Sequence, residues 1–185
     1  MEKIAYTFGR LPWCELLVAT GEAGLVAVQF VGKEGREREV ERLAGHWRKS
    51  ELIKSAKENR AALEELHVYA AGELREFSVP LDLRGTDFQL AAWRALLNIP
   101  YGETRTYADI ARAVGHPRSF RAVGMANHSN PIALIVPCHR VIGSDRSLVG
   151  YGGGLDLKRM LLEHEHRNAP TREPARGSRS LPLWE

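Results

Sequence analysis

The sequence predicts an α/β (α+β) protein: a small N-terminal α/β domain with an antiparallel sheet over residues 1–84, followed by a mainly helical C-terminal domain with a helix-turn-helix over 85–167. Three observations carry this. Short apolar runs separated by Gly- and Pro-containing turns fill the first 31 residues. Charged segments with apolar residues at helical spacing come next. Between Thr86 and Asn127 three helical patterns follow one another, with start and stop residues between them.

In the first half, residues 3–8, 13–20 and 25–31 read as three strands of a meander. Gly9-Arg10-Leu11-Pro12 and Gly21-Glu22-Ala23-Gly24 turn the chain between them. Cys14, in the second strand, has no base or cation at a recognisable spacing and reads as core. Residues 33–47 place Val40, Leu43, Ala44 and Trp47 on one helical face. Residues 56–77 do the same with Leu63, Leu66, Ala70, Leu74 and Phe77, and the charges between them form a solvated face. Residues 78–83 read as a strand returning to the sheet, with Arg84-Gly85-Thr86 as the boundary between the halves.

The second half opens with a helix over 87–97, capped by Thr86 or Asp87, with Phe88, Ala91, Ala92, Ala95 and Leu96 inward. Thr106-Tyr107-Ala108-Asp109 has capping-box spacing and starts a helix that buries Ile110, Ala111 and Val114. Gly115 suits the left-handed position after it. A third helix runs over about 118–127. Two short helices joined by a tight Gly-containing turn, here over about 104–127, make a helix-turn-helix. Ala122, Gly124 and Ala126 on its second helix allow close approach to another surface. Arg118, Ser119, Arg121, Asn127 and His128 can hydrogen-bond phosphates or base edges.

After Ser129-Asn130-Pro131 comes Ile135-Val136-Pro137-Cys138-His139-Arg140-Val141-Ile142. The apolar run reads as a buried strand that Pro137 ends. A thiol, an imidazole and a guanidinium then stand together at the strand's end. A thiol becomes a useful nucleophile as thiolate, which a neighbouring base or cation favours. Gly150-Tyr151-Gly152-Gly153-Gly154 lets backbone approach a ligand closely, but no Gly-Lys-Ser/Thr follows to make a phosphate loop. Residues 155–164 form a last helix with Leu157, Met160 and Leu161 on its core face, and 168–185 are expected to be a disordered tail rich in Arg, Pro, Ser and Gly.

Composition bounds the rest. The 185 residues suffice for one ordinary domain or two small ones, and 44% apolar residues suffice for a core. No window approaches the roughly 18 consecutive apolar residues of a membrane span. The start lacks the basic and apolar regions of a signal peptide, so a soluble, cytoplasmic protein is expected. Cys14 and Cys138 make neither a disulfide framework nor a metal cluster. A net charge of +3 is compatible with nucleic acid without requiring it.

The Asn130-Pro131 pair, the run from Ile135 to Val141, and Tyr151 with its glycines and Leu155 closely resemble the signature of the O6-alkylguanine-DNA alkyltransferases. Pro100-Tyr101-Gly102-Glu103-Thr104, Tyr107, Ala111 and Arg121-Ala122-Val123-Gly124 resemble the same family. The likeness runs over 87–167 without a gap, and the first 80 residues share only its general character. The resemblance implies direct repair of O6-alkylguanine and O4-alkylthymine in double-stranded DNA by a monomer that is consumed. Cys138 would take the alkyl group, His139 would receive the thiol proton through a water, Glu165 would orient His139, and Asn130 would brace the turn. Tyr107 would hydrogen-bond the flipped guanine. Arg121 would fill the space the base leaves, with Arg118, Ser119, Ala122 and Asn127 also at the DNA. The backbone of Cys138 and Val141, with Tyr151, Gly152 and Gly153, would form the pocket. Arg140 is expected to be structural, paired with a carboxylate or carbonyls.

Two positions depart from the family pattern. Gly152 stands where the family often has Ser, which implies a roomier pocket. Some members bind zinc through N-terminal Cys and His; here Cys14, His46 and His67 lie far apart in the chain, so no metal and no cofactor is expected. Two other classes remain open at this point. A non-catalytic lesion-binding module would lack the nucleophile, which Cys138 argues against. A thiol hydrolase would use Cys138 and His139 but would leave the helix-turn-helix unexplained.

Overall fold

The structure, a computed structural model, describes residues 1–170; the expected tail from 171 onward, with Trp184, lies outside the described residues. Three strands form as expected: β1 Lys3–Arg10, β2 Glu15–Thr20 and β3 Leu25–Phe30, paired antiparallel. Their alternation is bifacial. Leu16 and Val18 face the main core, while Leu17 and Ala19 face a second cluster with Ile4, Ala27 and Leu43. Helix α1, Gly35–His46, covers that second face through Leu43.

Three expectations in this half need correction. A fourth strand, β4 Glu51–Lys54, pairs parallel with β1, so the sheet is mixed, in the order β3-β2-β1-β4. Its two apolar residues between charges are too short a signal to separate from the helical text around them. Helix α2 is Arg60–Ala70, not 56–77; it stops at Gly72, whose φ of +82° breaks the right-handed run. Leu74 and Phe77 still pack on the core, from a folded-back segment. Residues 78–83 do not form a strand. Leu81 makes one parallel bridge with Leu25, since Pro80 offers only its carbonyl, to Leu25 N at 2.8 Å.

The second half packs three helices together: α3 Asp87–Leu97, α4 Tyr107–Ala113 and α5 Phe120–His128. Capping boxes start two of them, Thr86 with Gln89 and Thr106 with Asp109. Gly115 has a φ of +78° in the turn between α4 and α5. Trp93 anchors α3 to α5, its indole N–H donating to Ala126 O at 2.8 Å. A strand pair, β5 Arg105–Thr106 with β6 Val141–Ile142, runs parallel beneath them. The last helix, α6 Leu155–Asn168, is longer than expected and takes Asn168 out of the tail. No described helix is long and apolar enough to cross a membrane.

The outer edge of β3 joins the halves. Val28 N donates to Pro131 O and Ala133 N to Val28 O, each at 2.9 Å. This covers an edge that would otherwise be open and docks residues 131–133, just before Cys138, onto the sheet. The main core is continuous: Val18, Val28 and Leu66 from the first half lie in one cluster with Trp93, Val136 and Leu161 from the second.

Candidate active site

Cys138 does not follow a strand. Residues 132–138 fold back on themselves, with Val136 N bonded to Ile132 O and Cys138 N to Val136 O. Cys138–Arg140 then make a single 3-10 turn leading into β6. Leu134, buried with φ +69°, is held in the left-handed region at this bend. Ile132, Leu134 and Val136 are buried because the bend crosses the core. A buried bend and a buried strand share one composition, so the apolar run alone could not separate them. Asn130 braces the bend: its Nδ2 donates to Val136 O at 2.8 Å and Cys138 Sγ at 3.3 Å, and its Oδ1 accepts from Ile132 N at 3.1 Å.

Glu165 collects the neighbours of the thiol. His139 Nε2 lies 2.8 Å from Oε1, Arg140 donates through Nε to Oε2 and Nη2 to Oε1 at 2.9 Å each, and Gly102 N donates to Oε2 at 3.1 Å. Although it lies in the last turn of α6, Glu165 is fully buried. Burial opposes its ionisation, but His139 and Arg140 outweigh it and hold the carboxyl well below the usual range. An ionised carboxylate only accepts, so His139 Nε2 carries the proton and Nδ1 is bare. Nδ1 is buried with no partner among the described residues. Burial holds His139 below its ordinary value, although Glu165 pulls the other way. Burial also pushes the Cys138 thiol up, with Asn130 and the Lys158 charge opposing. The resting pair is therefore a neutral thiol beside a neutral base.

A cavity of about 870 Å³ opens on Cys138, with Tyr107, Gly124, Asn127, Tyr151 and Gly152 in its wall. Tyr107 OH points to Val149 O at 3.4 Å, and burial raises its phenol, which stays a donor. Tyr151 and Gly152 stand in that wall. Val141 and Gly153 do not line the cavity. Val141 is fully buried, and its carbonyl takes Lys158 Nζ at 2.7 Å. Gly153 packs where a Cβ would meet Leu157 Cδ2 at 2.6 Å.

On α5, Arg121 and Ala122 are exposed, as is Arg118 before it, while Ser119 is half-buried at the N-cap. Asn127 turns into the cavity instead, and Ala126 faces the core against Trp93. Phe120 and Met125 are 49% and 67% exposed, and the Arg121 guanidinium lies 6.0 Å from the Phe120 ring centroid, so that helix has an uncovered apolar and cationic surface.

Three residues escaped sequence reasoning. Tyr69 reaches Glu165 from α2. Gly102 supplies an N–H at a φ of +76°. Lys158, fully buried, donates to Val141 O and Val149 O at 2.7 Å each, and burial lowers it to about 8. A signal for Lys158 existed: it shares with Leu161, Leu162 and Glu165 one helical stripe at i, i+3, i+4 and i+7.

Residues 4–83 match the 6-O-methylguanine DNA methyltransferase ribonuclease-like domain, and 87–167 match the DNA binding domain of the same family. The methylated-DNA–protein-cysteine methyltransferase of Methanosarcina barkeri is 48% identical over 163 residues, 88% of this chain and 98% of that protein. The Mycobacterium tuberculosis protein of that name is 62% identical over 109 residues, 59% of this chain; the match spans 66% of that relative, just under two thirds of its length. A crystal structure of Mycobacterium tuberculosis OGT in complex with DNA is 43% identical with a TM-score of 0.74, covering 91% of this chain and 95% of that one. On these matches and this geometry, the chain belongs to the 6-O-methylguanine DNA methyltransferase family.

Proposed function

We propose that this chain is a methylated-DNA–protein-cysteine methyltransferase: it repairs O6-alkylguanine, and O4-alkylthymine, in duplex DNA by moving the alkyl group irreversibly onto Cys138. The observation that carries this reading is Cys138 facing a cavity while the next residue, His139, is held through Nε2 by the buried carboxylate of Glu165.

The α4–α5 pair acts as a helix-turn-helix on the duplex. Arg121, with Arg118, Ser119 and Ala122, lies at the DNA, and the target base is flipped into the cavity at a cost of a few kcal/mol. His139 Nδ1 accepts the Cys138 proton through a bridging water, and Glu165 stabilises the imidazolium that forms. The thiolate attacks the alkyl carbon: the S–C bond forms, the C–O6 bond breaks, and its electron pair stays on the guanine. Tyr107, as a phenol donor, stabilises that developing charge and the guanine regains a proton. The thioether has no good leaving group, so each molecule acts once, as a monomer. The thiol has to stay reduced, which suits the cytoplasm.

The test is intact-protein mass after mixing with excess duplex carrying one O6-methylguanine, beside Cys138→Ala. One added methyl group, mapped to Cys138 and absent from the variant, is expected. Lesion-selective binding without mass gain would turn the reading to a binding module, and repeated turnover would turn it to a hydrolase.

A further inference from the structure

One of the donors to Glu165 comes from the other half of the chain. Tyr69 on α2 is fully buried and donates its hydroxyl to Glu165 Oε1 at 2.8 Å. That oxygen also takes His139 Nε2 and Arg140 Nη2. Arg140 already supplies the charge that Glu165 needs and grips both oxygens, so Tyr69 is not required to neutralise it. What Tyr69 shares is the oxygen that His139 uses. Its hydroxyl limits where that oxygen can sit and how much of its charge the imidazole feels.

Tyr69 is itself well fixed. Its carbonyl meets His164 Nε2 at 2.8 Å. Its ring stands edge-on to Trp13 and Tyr101, with centroids 6.4 and 6.0 Å away, and tilts against Phe77 at 5.4 Å. Burial, then the Glu165 charge, raises the phenol far above its ordinary value, so the hydroxyl remains a donor wherever the protein is folded.

We propose that Tyr69 is a positioning residue for alkyl transfer: the N-terminal half reaches into the site through this hydroxyl and holds Glu165 Oε1 on His139. The inference rests on the alkyltransferase reading above, with His139 as the base.

Tyr69→Phe keeps the ring packing and deletes the donor. Oε1 then becomes a stronger acceptor for His139 and favours the imidazolium. The acid limb of the single-turnover rate profile is expected to move to higher pH. A general base contributes about 10²–10⁴-fold, and a misplaced one is expected to lose about tenfold at neutral pH, with duplex affinity unchanged. An NMR titration of the His139 ring in both proteins supplies a readout independent of transfer, and its midpoint is expected to rise in the variant. A folded Tyr69→Phe with unchanged rate profile and unchanged His139 titration overturns the proposal and leaves the alkyltransferase reading standing. Lower stability with an unshifted titration also overturns it, because the hydroxyl would then only satisfy the core. If the wild type transfers no methyl group, the alkyltransferase reading fails, and the His139 midpoint still decides whether Tyr69 sets the carboxylate.

Discussion

Arg140 and Glu165 meet at two points, Nε on Oε2 and Nη2 on Oε1, both at 2.9 Å and both buried. A third donor atom, Nη1, reaches Ile99 O at 2.6 Å. The side chain two residues beyond the thiol is thus a strut between the last helix and the end of α3. Replacing it by a residue of similar length, Arg140→Met, leaves a buried carboxylate with its main countercharge gone. We expect a loss of about 3–5 kcal/mol in urea unfolding.

The same carboxylate shapes the response to acid. Burial keeps His139 below its ordinary value, and His139 with Arg140 keeps Glu165 below its own despite burial. For both groups the unfolded chain takes up protons at higher pH than the folded one, so stability rises with pH across each window. On acidification it should fall first below about pH 6.5, as the unfolded histidine charges, and again below about pH 4.5, as the unfolded carboxyl protonates. Thermal midpoints between pH 3 and 8 check this, and Glu165→Gln should shrink the second stage, leaving the part that Glu15, Glu58, Asp109 and Asp145 contribute.

Gly102 couples backbone strain to the site. Its φ is +76°, and an added Cβ would stand 2.8 Å from the Ala169 Cβ. Gly102→Ala should cost more than about 1 kcal/mol and slow transfer as well, because the same peptide N–H holds Glu165 Oε2. Gly115→Ala is the contrast. It has a similar φ but open space around it, so it should cost about 1 kcal/mol without a change in rate. Equal effects on rate would separate Gly102 from the site.

Gly152 lines the cavity, and a Cβ there meets nothing within 4 Å. Gly152→Ser should therefore fold normally and narrow the pocket. Single-turnover rates for O6-benzylguanine should drop relative to O6-methylguanine. Equal rates for the benzyl adduct in the two proteins would remove Gly152 as a determinant of substrate size.

Arg121 is exposed, so Arg121→Ala should leave the melting temperature within its error. Duplex affinity should weaken, and if the guanidinium meets a phosphate the salt slope should fall by about one. Unchanged binding and unchanged repair would remove α5 from the DNA surface.

Local chemistry was enough for much of this protein. Short apolar runs between Gly- and Pro-containing turns placed β1 to β3. Thr106 capped its helix where capping-box spacing put it, and Thr86 proved to be the cap of the two candidates Thr86 and Asp87. Cys138 and His139 stood side by side in the sequence, while Asn130 was read only from the family resemblance. Short or irregular elements were not: β4 has four residues, the segment at 78–83 is held by a single bridge, and the bend at 132–138 has a strand's composition. The residues' own spacing did not give the site's electrostatics: the resemblance paired Glu165 with His139, but the burial of that carboxylate and its Tyr69 and Gly102 donors belonged to the tertiary structure. Glu165 lies 26 residues beyond His139, and Tyr69 lies 96 before Glu165. Residues so distant are brought together by the shared core rather than by any local period. Whether a carboxylate on an amphipathic helix is solvated or sealed depends on what packs over it, and here Tyr69 of α2, from the other half of the chain, does so with His139, Arg140 and Gly102.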